Sequence, residues 1–504
     1  MKEPLFDISA ITERFESSAD TLFLADSVSG ARWNYAEFYE QASRCARYLQ
    51  ENGLRRGDRV IALMLNSPEF VTLYFGCLFL GVVIAPVNPA LHPDEIRFIF
   101  DHSGASGVVF TAETERFIPE LAAGFKKIAY CAGSGMPLLA EPLKDARAKD
   151  LFSITFTSGT TSRPKAVAHS IGSLLGNARI FNQTMGFGPA RRFLHVMPMS
   201  YMAGFLNTLL CPFVAGCTVI LAPAFDAKTA LMFWGPVRKF EADTFWMTPT
   251  MLAALVKLDR DASAPEYCRK KIRTICVGTA PLPFKLKKDF EDKYGTKLME
   301  SYGLSELLFV SANSAAGRAP DNSVGRLLAG VELKIVDEKG GDPGADKAGD
   351  ILIRTPFRMA GYLDYKTLQP EVPSEWFASG DVGHLDPEGN LFITSRKKDL
   401  IIRGGLNISP RAVEDALVCH PAVTSAAVIG LPHDFYGEEV VAVLQLADGI
   451  SLESVQASLV EKCREKLSAA AMPTRYIQLD EFPMNTNGKI QKNRLVERFR
   501  VGQV

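Results

Sequence analysis

The sequence predicts an α/β protein: parallel sheets covered by helices, then a small β-rich stretch, then a separate α+β unit. Three observations carry that reading. Up to about Gly330, short apolar runs of strand length alternate with helix-length segments. Beyond Gly330 the runs become short and alternating, punctuated by Gly, Asp and Pro. After Asp399 the texture changes again, with two strand-like runs ahead of one long amphipathic segment. Alternating strands and helices stack into parallel layers, whereas closely spaced alternating runs read as hairpins or a small barrel.

The elements follow in chain order. Val60 to Leu65 is a strand, and Asn66-Ser67-Pro68-Glu69 supplies an N-cap, a proline for the first helical turn and an acid near its positive end. The helix runs to about Leu80, stops at Gly81, and leads into a strand over Val82 to Pro86. The pattern repeats: a strand Phe193 to Met197, a helix near Phe205 to Val214, Gly216, and a strand Thr218 to Leu221. Thr244 to Met247 is another strand, and Thr250 is placed to cap a helix Met251 to Leu258. Ile272 to Val277 leads through a Pro-rich turn to a helix near Phe284 to Tyr294. VELKIVD, GDILIRT and GNLFITS are the short strands after Gly330. AAVIG, VVAVLQL, a helix Leu452 to Leu467 and RYIQL make the last unit, with a joint in Arg396-Lys397-Lys398-Asp399.

Two uncharged runs, Phe70 to Ala85 and Leu206 to Ala222, are broken by Gly81 and by Pro212 and Gly216. They read as a buried helix, a turn and a buried strand rather than as spans, which need ~20 apolar residues. Composition narrows the function. The 504 residues carry 56 Lys and Arg against 57 Asp and Glu, a net charge of −1, which argues against a global affinity for nucleic acid. Nine cysteines, an odd number with no CxxC spacing, argue against a disulfide framework or a structural zinc. The first residues, MKEPLFDISAITERFE, show no secretory h-region, so a cytoplasmic location is expected.

The segment most informative about chemistry is Ile154 to His169, ITFTSGTTSRPKAVAH. A β-like run ends in Thr157-Ser158-Gly159-Thr160-Thr161, and Lys165 follows. Hydroxyls, backbone N–H groups and a nearby Lys can cradle polyphosphate, and a solvated Ser/Thr-rich turn would have the same composition. The pattern GxxxxGK[ST] is not met.

TSGTTSRPK closely resembles the phosphate loop of the adenylate-forming (AMP-binding) enzymes, in their acyl-CoA synthetase and aryl-CoA ligase branch. The resemblance continues in the family's order along nearly the whole chain. PMSYMAG from Pro198 resembles the acid-pocket segment, Gly278-Thr279-Ala280-Pro281-Leu282 the family's GGAPL, and Ser301-Tyr302-Gly303-Leu304-Ser305-Glu306 its YGxTE. WFASGD from Trp376 resembles WxxTGD, RKKDLIIRGGLNISP from Arg396 the hinge motif, and Asn487-Gly488-Lys489-Ile490 the catalytic-lysine motif. The resemblance implies a large N-terminal domain, 1–396, with two doubly wound α/β subdomains and a small β subdomain. It also implies a mobile C-terminal α+β domain, 397–504, that carries the lysine.

The implied reaction joins a carboxylate to the α-phosphate of ATP, releases pyrophosphate, and hands the acyl group to the thiol of CoA. Joining anions calls for cationic groups and a metal. By resemblance, Lys489, Glu306, Ser305 and Thr157 are the catalytic candidates, with Glu306 the ligand of Mg²⁺. Thr157, Ser158, Gly159, Thr160, Thr161 and Lys165 would hold phosphate, with Gly278, Thr279, Ala280, Pro281, Ser301, Tyr302, Gly303, Asp381 and Arg396 around the nucleotide. Asp381 suits the ribose hydroxyls and Tyr302 an adenine face. Without the motif order, Tyr302 would read as core, Asp381 as a turn former and Glu306 as a surface helix-start acid.

Lys398 stands at the hinge, and Gly404 and Gly405 would face the pantetheine channel. The acid pocket would be Tyr201, Gly204, Phe205, Val277, Leu304 and Phe309. Pro198 to Gly204 holds no acid to pair an ammonium, which favours an amine-free fatty or aromatic acid. Two departures stand out: Ser162 where the family usually has Gly, and Tyr201 where many acyl-CoA synthetases have His. The acceptor is expected to be CoA, with a phosphopantetheinyl carrier protein as the rival and an inactive nucleotide-binding regulator as a rival of another class. A monomer or homodimer is expected, with no nucleic-acid partner and no transmembrane segment.

Overall fold

Two mixed sheets organise the large N-terminal domain. The structure, a computed structural model, describes residues 8–120, 125–130, 135–157, 164–314, 319–344, 346–484 and 490–500. The nine-stranded sheet has a parallel centre in the order Leu298–Leu304, Thr274–Val277, Thr244–Met247, Arg192–His195, Thr218–Leu221 and Leu22–Asp26. The eight-stranded sheet has a parallel run of Leu151–Thr157, Val83–Val87, Arg59–Leu63, Gly107–Phe110 and Lys126–Ala129. Up to about Gly330 the sequence predicts parallel sheets, and the margins of these two sheets depart from that. Leu308–Ala312 returns antiparallel on Leu298–Leu304, and Lys165–Ser170 returns antiparallel on Leu151–Thr157. A turn of three residues, Ser305 to Leu307, is too short for the crossover that a parallel return needs.

The helix Pro68–Leu80 forms for the reasons its sequence gives. Ser67 is extended and its hydroxyl accepts from Phe70 N–H at 3.2 Å, Pro68 opens the helix, and Gly81 ends it at φ +75°. Every residue from Phe70 to Phe79 is buried, and each large apolar side chain so placed stabilises by about 1.5–3 kcal/mol. The aromatic core continues through Phe23, Phe38, Phe75 and Phe213, with Phe23–Phe38 centroids 4.7 Å apart. Among the described residues no helix is long and apolar enough to cross a membrane.

Two local expectations change. The cap of Pro249–Leu258 is Thr248, not Thr250: Pro249 takes the first helical position, and the Thr248 hydroxyl accepts from Met251 N–H at 3.2 Å. The helix expected near Phe205 to Val214 starts at Met202 and carries a π segment over Leu206–Leu210. There the Thr208 hydroxyl bonds Gly204 O at 2.9 Å and meets His195 Nδ1 at 2.8 Å.

The small sheet after Gly330 is antiparallel, in the order Glu332–Val336, Gly349–Arg354, Phe377–Leu385 and Leu391–Arg396. A single 3-10 turn, Lys397–Asp399, leads to the C-terminal sheet. That five-stranded sheet pairs Val423–His433 with Gly437–Leu446 and buries its own core, including Val428, Ala442, Leu444 and Leu459. The helix expected over Leu452 to Leu467 spans Leu452–Arg464.

Candidate active site

Two polar clusters form where the sheets and hairpins meet. The first rests on strand register. Asp381 lies opposite Arg396 on the antiparallel strands Phe377–Leu385 and Leu391–Arg396. Its carboxylate, only 4% exposed, takes the Arg396 Nε at 3.1 Å and the Tyr302 hydroxyl at 2.6 Å. The Ser379 hydroxyl accepts the Asp381 N–H at 3.0 Å. Burial, followed by the neighbouring Asp381 charge, holds the Tyr302 phenol well above its ordinary pKa, so it stays a donor. Arg396 is half-exposed, leaving guanidinium surface for an anion.

The second cluster surrounds Glu306, which sits in the Ser305–Leu307 turn of a hairpin rather than at a helix start. The Tyr362 hydroxyl donates to Glu306 Oε1 at 2.7 Å, and Lys165 Nζ lies 4.8 Å from the Tyr362 ring centroid. Strand pairing causes this meeting, because Tyr362 is opposite Val167 on the strand that begins at Lys165. The turn is held by Met359 N–H on Glu306 O at 2.7 Å and by His169 Nε2 on Ser305 O at 2.6 Å. A carbonyl can only accept, so His169 carries its proton on Nε2. Burial pushes that imidazole down to about 4, which keeps it neutral. The Thr157 hydroxyl lies 3.4 Å from Lys165 O.

Burial raises the Tyr201 phenol, which the Arg396 charge lowers and the Glu306 charge raises. Gly278 sits against Ser301: a Cβ there would be 3.1 Å from the Ser301 hydroxyl. Thr279 takes φ +73°, an uncommon conformation for a β-branched residue, in the same segment as Ala280 and Pro281. Gly303 and Gly204 are required by packing, since a Cβ would stand 2.3 Å from Leu308 O and 2.0 Å from Pro198 O respectively.

The other candidates divide. Phe205 stacks on Tyr74 at 4.3 Å and Phe309 on Phe181 at 3.9 Å, both in the core, and Val277 is 1% exposed. Leu304 is half-buried. Lys398 is exposed on the 3-10 turn. Gly404 and Gly405, at φ +59° and +79°, make the two-residue turn of a hairpin, Ile401–Arg403 with Leu406–Ile408. Their near neighbour is Tyr436, whose carbonyl takes Gly404 N–H at 2.8 Å, rather than the clusters above. Ser158, Gly159, Thr160, Thr161, Ser162 and Lys489 lie outside the described residues.

Sequence reading missed Tyr362 and His169. His169 ends the quoted motif without standing out, and Tyr362 carries no local signal, since only the pairing of distant strands brings it to Glu306. Among the described residues no three His, Cys, Asp or Glu side chains group as a metal cage.

Comparisons with known proteins bear on the family and the fold. Residues 11–363 match the family described as AMP-binding enzyme, and residues 412–489 its C-terminal domain. The chain is 31% identical over 495 residues to the long-chain-fatty-acid–CoA ligase FadD13 of Mycobacterium tuberculosis, covering 93% of each. It superposes on ATP-bound MatB from Rhodopseudomonas palustris with TM-score 0.89 at 28% identity, over 98% of this chain and 99% of that one. The apo form of MatB gives 0.79 over the same shares. The o-succinylbenzoate CoA synthetase of Bacillus subtilis, with its acyl-adenylate, gives 0.82 at 26% identity over 96% and 97%. The chain belongs to the AMP-binding enzyme family.

Proposed function

We propose that this enzyme is an acid–CoA ligase that activates an amine-free fatty or aromatic acid with ATP. The observation that carries the reading is that one strand and its turn hold both clusters, Tyr302–Asp381–Arg396 through Tyr302 on Leu298–Leu304 and Lys165–Tyr362–Glu306 through Glu306 in the turn that follows it. In the first step a carboxylate oxygen bonds to the α-phosphorus and the bond to pyrophosphate breaks. In the second, the CoA sulfur bonds to the acyl carbon, AMP leaves and the thiol proton is released.

The residues divide the work. Asp381 accepts from the ribose hydroxyls while Tyr302 and Arg396 fix its orientation, and Arg396 offers its exposed face to phosphate. Ser301, Gly303 and the Gly278-Thr279-Ala280-Pro281 segment shape the nucleotide's seat. Lys165, Thr157, Ser158, Gly159, Thr160 and Thr161 hold the phosphates, and Lys489 offsets charge where the anions meet. Glu306, with one oxygen held by Tyr362, and the Ser305 hydroxyl are hard oxygen donors of the kind Mg²⁺ uses beside phosphate, so the residues fit that ion. Mg²⁺ would neutralise phosphate charge and orient the leaving pyrophosphate. Tyr201, Gly204, Leu304 and Val277 border the acid, with Phe205 and Phe309 packed behind them.

We assign residues 1–396 to the adenylating domain and 397–504 to a mobile domain that turns at Lys398 and brings Gly404 and Gly405 to the pantetheine arm. Support comes from the hairpin turn at these glycines and from the CoA ligases among the relatives. The test is pyrophosphate release screened over aliphatic, aryl and amino acids, with and without CoA. Acid-dependent release followed by acyl-CoA formation is expected. Release without a CoA product would move the acceptor to a carrier protein, and no release with any acid would make the chain a nucleotide-binding regulator.

A further inference from the structure

One side chain of the C-terminal region touches two segments of the nucleotide site at once. Arg411, in the first turn of the helix Pro410–Leu417, donates from Nη1 to Ile393 O at 2.9 Å and from Nη2 to Leu282 O at 3.5 Å. Ile393 precedes Arg396 on the strand that pairs with Asp381, and Leu282 closes the Gly278–Pro281 segment. The side chain is 15% exposed, with Asp415 Oδ2 3.8 Å from Nε. Beside it Ser409 donates to Thr394 O at 2.7 Å, adding a second tie to the same strand.

A charged pair lies next to Ser301 in the sequence of the same site. Lys287 and Glu300, 8% and 5% exposed, pair at 3.0 Å, and Lys287 also meets Asp321 at 3.4 Å. Glu300 directly precedes Ser301 and Tyr302; burial raises its carboxyl above the ordinary range, against which the Lys287 charge and, less, the Arg411 charge favour the ionised form. The planar fork of a guanidinium can serve two carbonyls on different segments, which a lysine ammonium on a single stem does less well. Leaving such a desolvated cation without its acceptors is costly.

We propose that Arg411 is a positioning residue that couples docking of the C-terminal domain to occupancy of the nucleotide site. The inference rests on the adenylating assignment above. ATP lying against Gly278–Pro281 and Arg396 fixes the Leu282 and Ile393 carbonyls in the spacing that Arg411 bridges. Linkage then requires the reverse: the docked domain tightens ATP. Thioester formation takes up no ATP, so that step does not draw on the coupling.

The test compares wild type, Arg411→Ala and Arg411→Lys in three measurements. Acid-dependent ATP–pyrophosphate exchange should show KM for ATP raised about tenfold in both variants. Thioester formation from supplied acyl-adenylate and CoA should stay within about twofold of wild type, because that step bypasses ATP. Trypsin cleavage at Lys397 and Lys398 should be slowed by ATP in wild type and not in the variants, with the melting temperature unchanged. Equal losses in both half-reactions with a lowered melting temperature would make Arg411 merely structural and overturn the coupling. So would unchanged KM and ATP protection. If wild type exchanges with no acid, the functional reading fails, and the trypsin arm still decides whether Arg411 links nucleotide to docking.

Discussion

Asp381 is nearly sealed from water, yet its carboxylate is anchored by Tyr302 and Arg396 and is oriented before any substrate arrives. Replacing it with Ala removes the proposed ribose acceptor and takes from the Tyr302 hydroxyl and the Arg396 guanidinium their shared carboxylate. ATP use should weaken by at least about 1–3 kcal/mol, roughly tenfold to over a hundredfold in kcat/KM for ATP. Steady-state kinetics on the folded variant checks this, and an unchanged ATP dependence would remove Asp381 from the site. Tyr362→Phe deletes one hydroxyl and keeps the ring under Lys165. Its loss frees Glu306 Oε1, so kcat should fall by about 1 kcal/mol, near fivefold, and the Mg²⁺ concentration for half-maximal rate should shift. Identical magnesium titrations for the two proteins would count against Glu306 as the metal ligand.

At the scale of elements, short turns set the site. The Ser305–Leu307 turn places Glu306 because its hairpin partner, Leu308–Ala312, is fixed by Asn177, which bonds both Phe309 N–H and Phe309 O. The PMSYMAG segment is set by closeness of backbone. Gly204 lies where any Cβ would overlap Pro198 O at 2.0 Å, so Gly204→Ala must move the turn that carries Tyr201. A loss of about 1–3 kcal/mol in stability is expected, read as a lower denaturation midpoint, together with weakened acid binding. A midpoint equal to wild type would show that the segment relaxes freely.

The whole molecule should be acid-labile over a defined window. His169 and His195 are completely buried, and burial lowers each to about 4 from an ordinary 6.5. Between those values the unfolded chain binds protons that the folded chain refuses. Stability is therefore full above pH 6.5 and falls as pH drops toward 4, by on the order of 3 kcal/mol for each histidine. Urea midpoints measured from pH 7.5 to 4.5 check this. His169→Gln should flatten the slope, even if it lowers stability at pH 7.5 by disturbing the bond to Ser305 O. A midpoint independent of pH across that range would refute the burial argument.

Sequence alone determined much of this protein. Caps and stops such as Ser67 and Gly81, and the alternation of apolar runs, are local signals, because helix ends and buried strands depend on residues a few positions apart. The motifs naming Glu306, Asp381 and Arg396 were legible for the same reason: each is a short contiguous string. Tertiary structure alone decided how the strings meet. The antiparallel margins, the Tyr362–Glu306 bond across 56 positions and the Arg411–Leu282 contact across 129 have no local signature. They arise from strand register and domain docking, where the free energy comes from surfaces that come together only when the chain is folded.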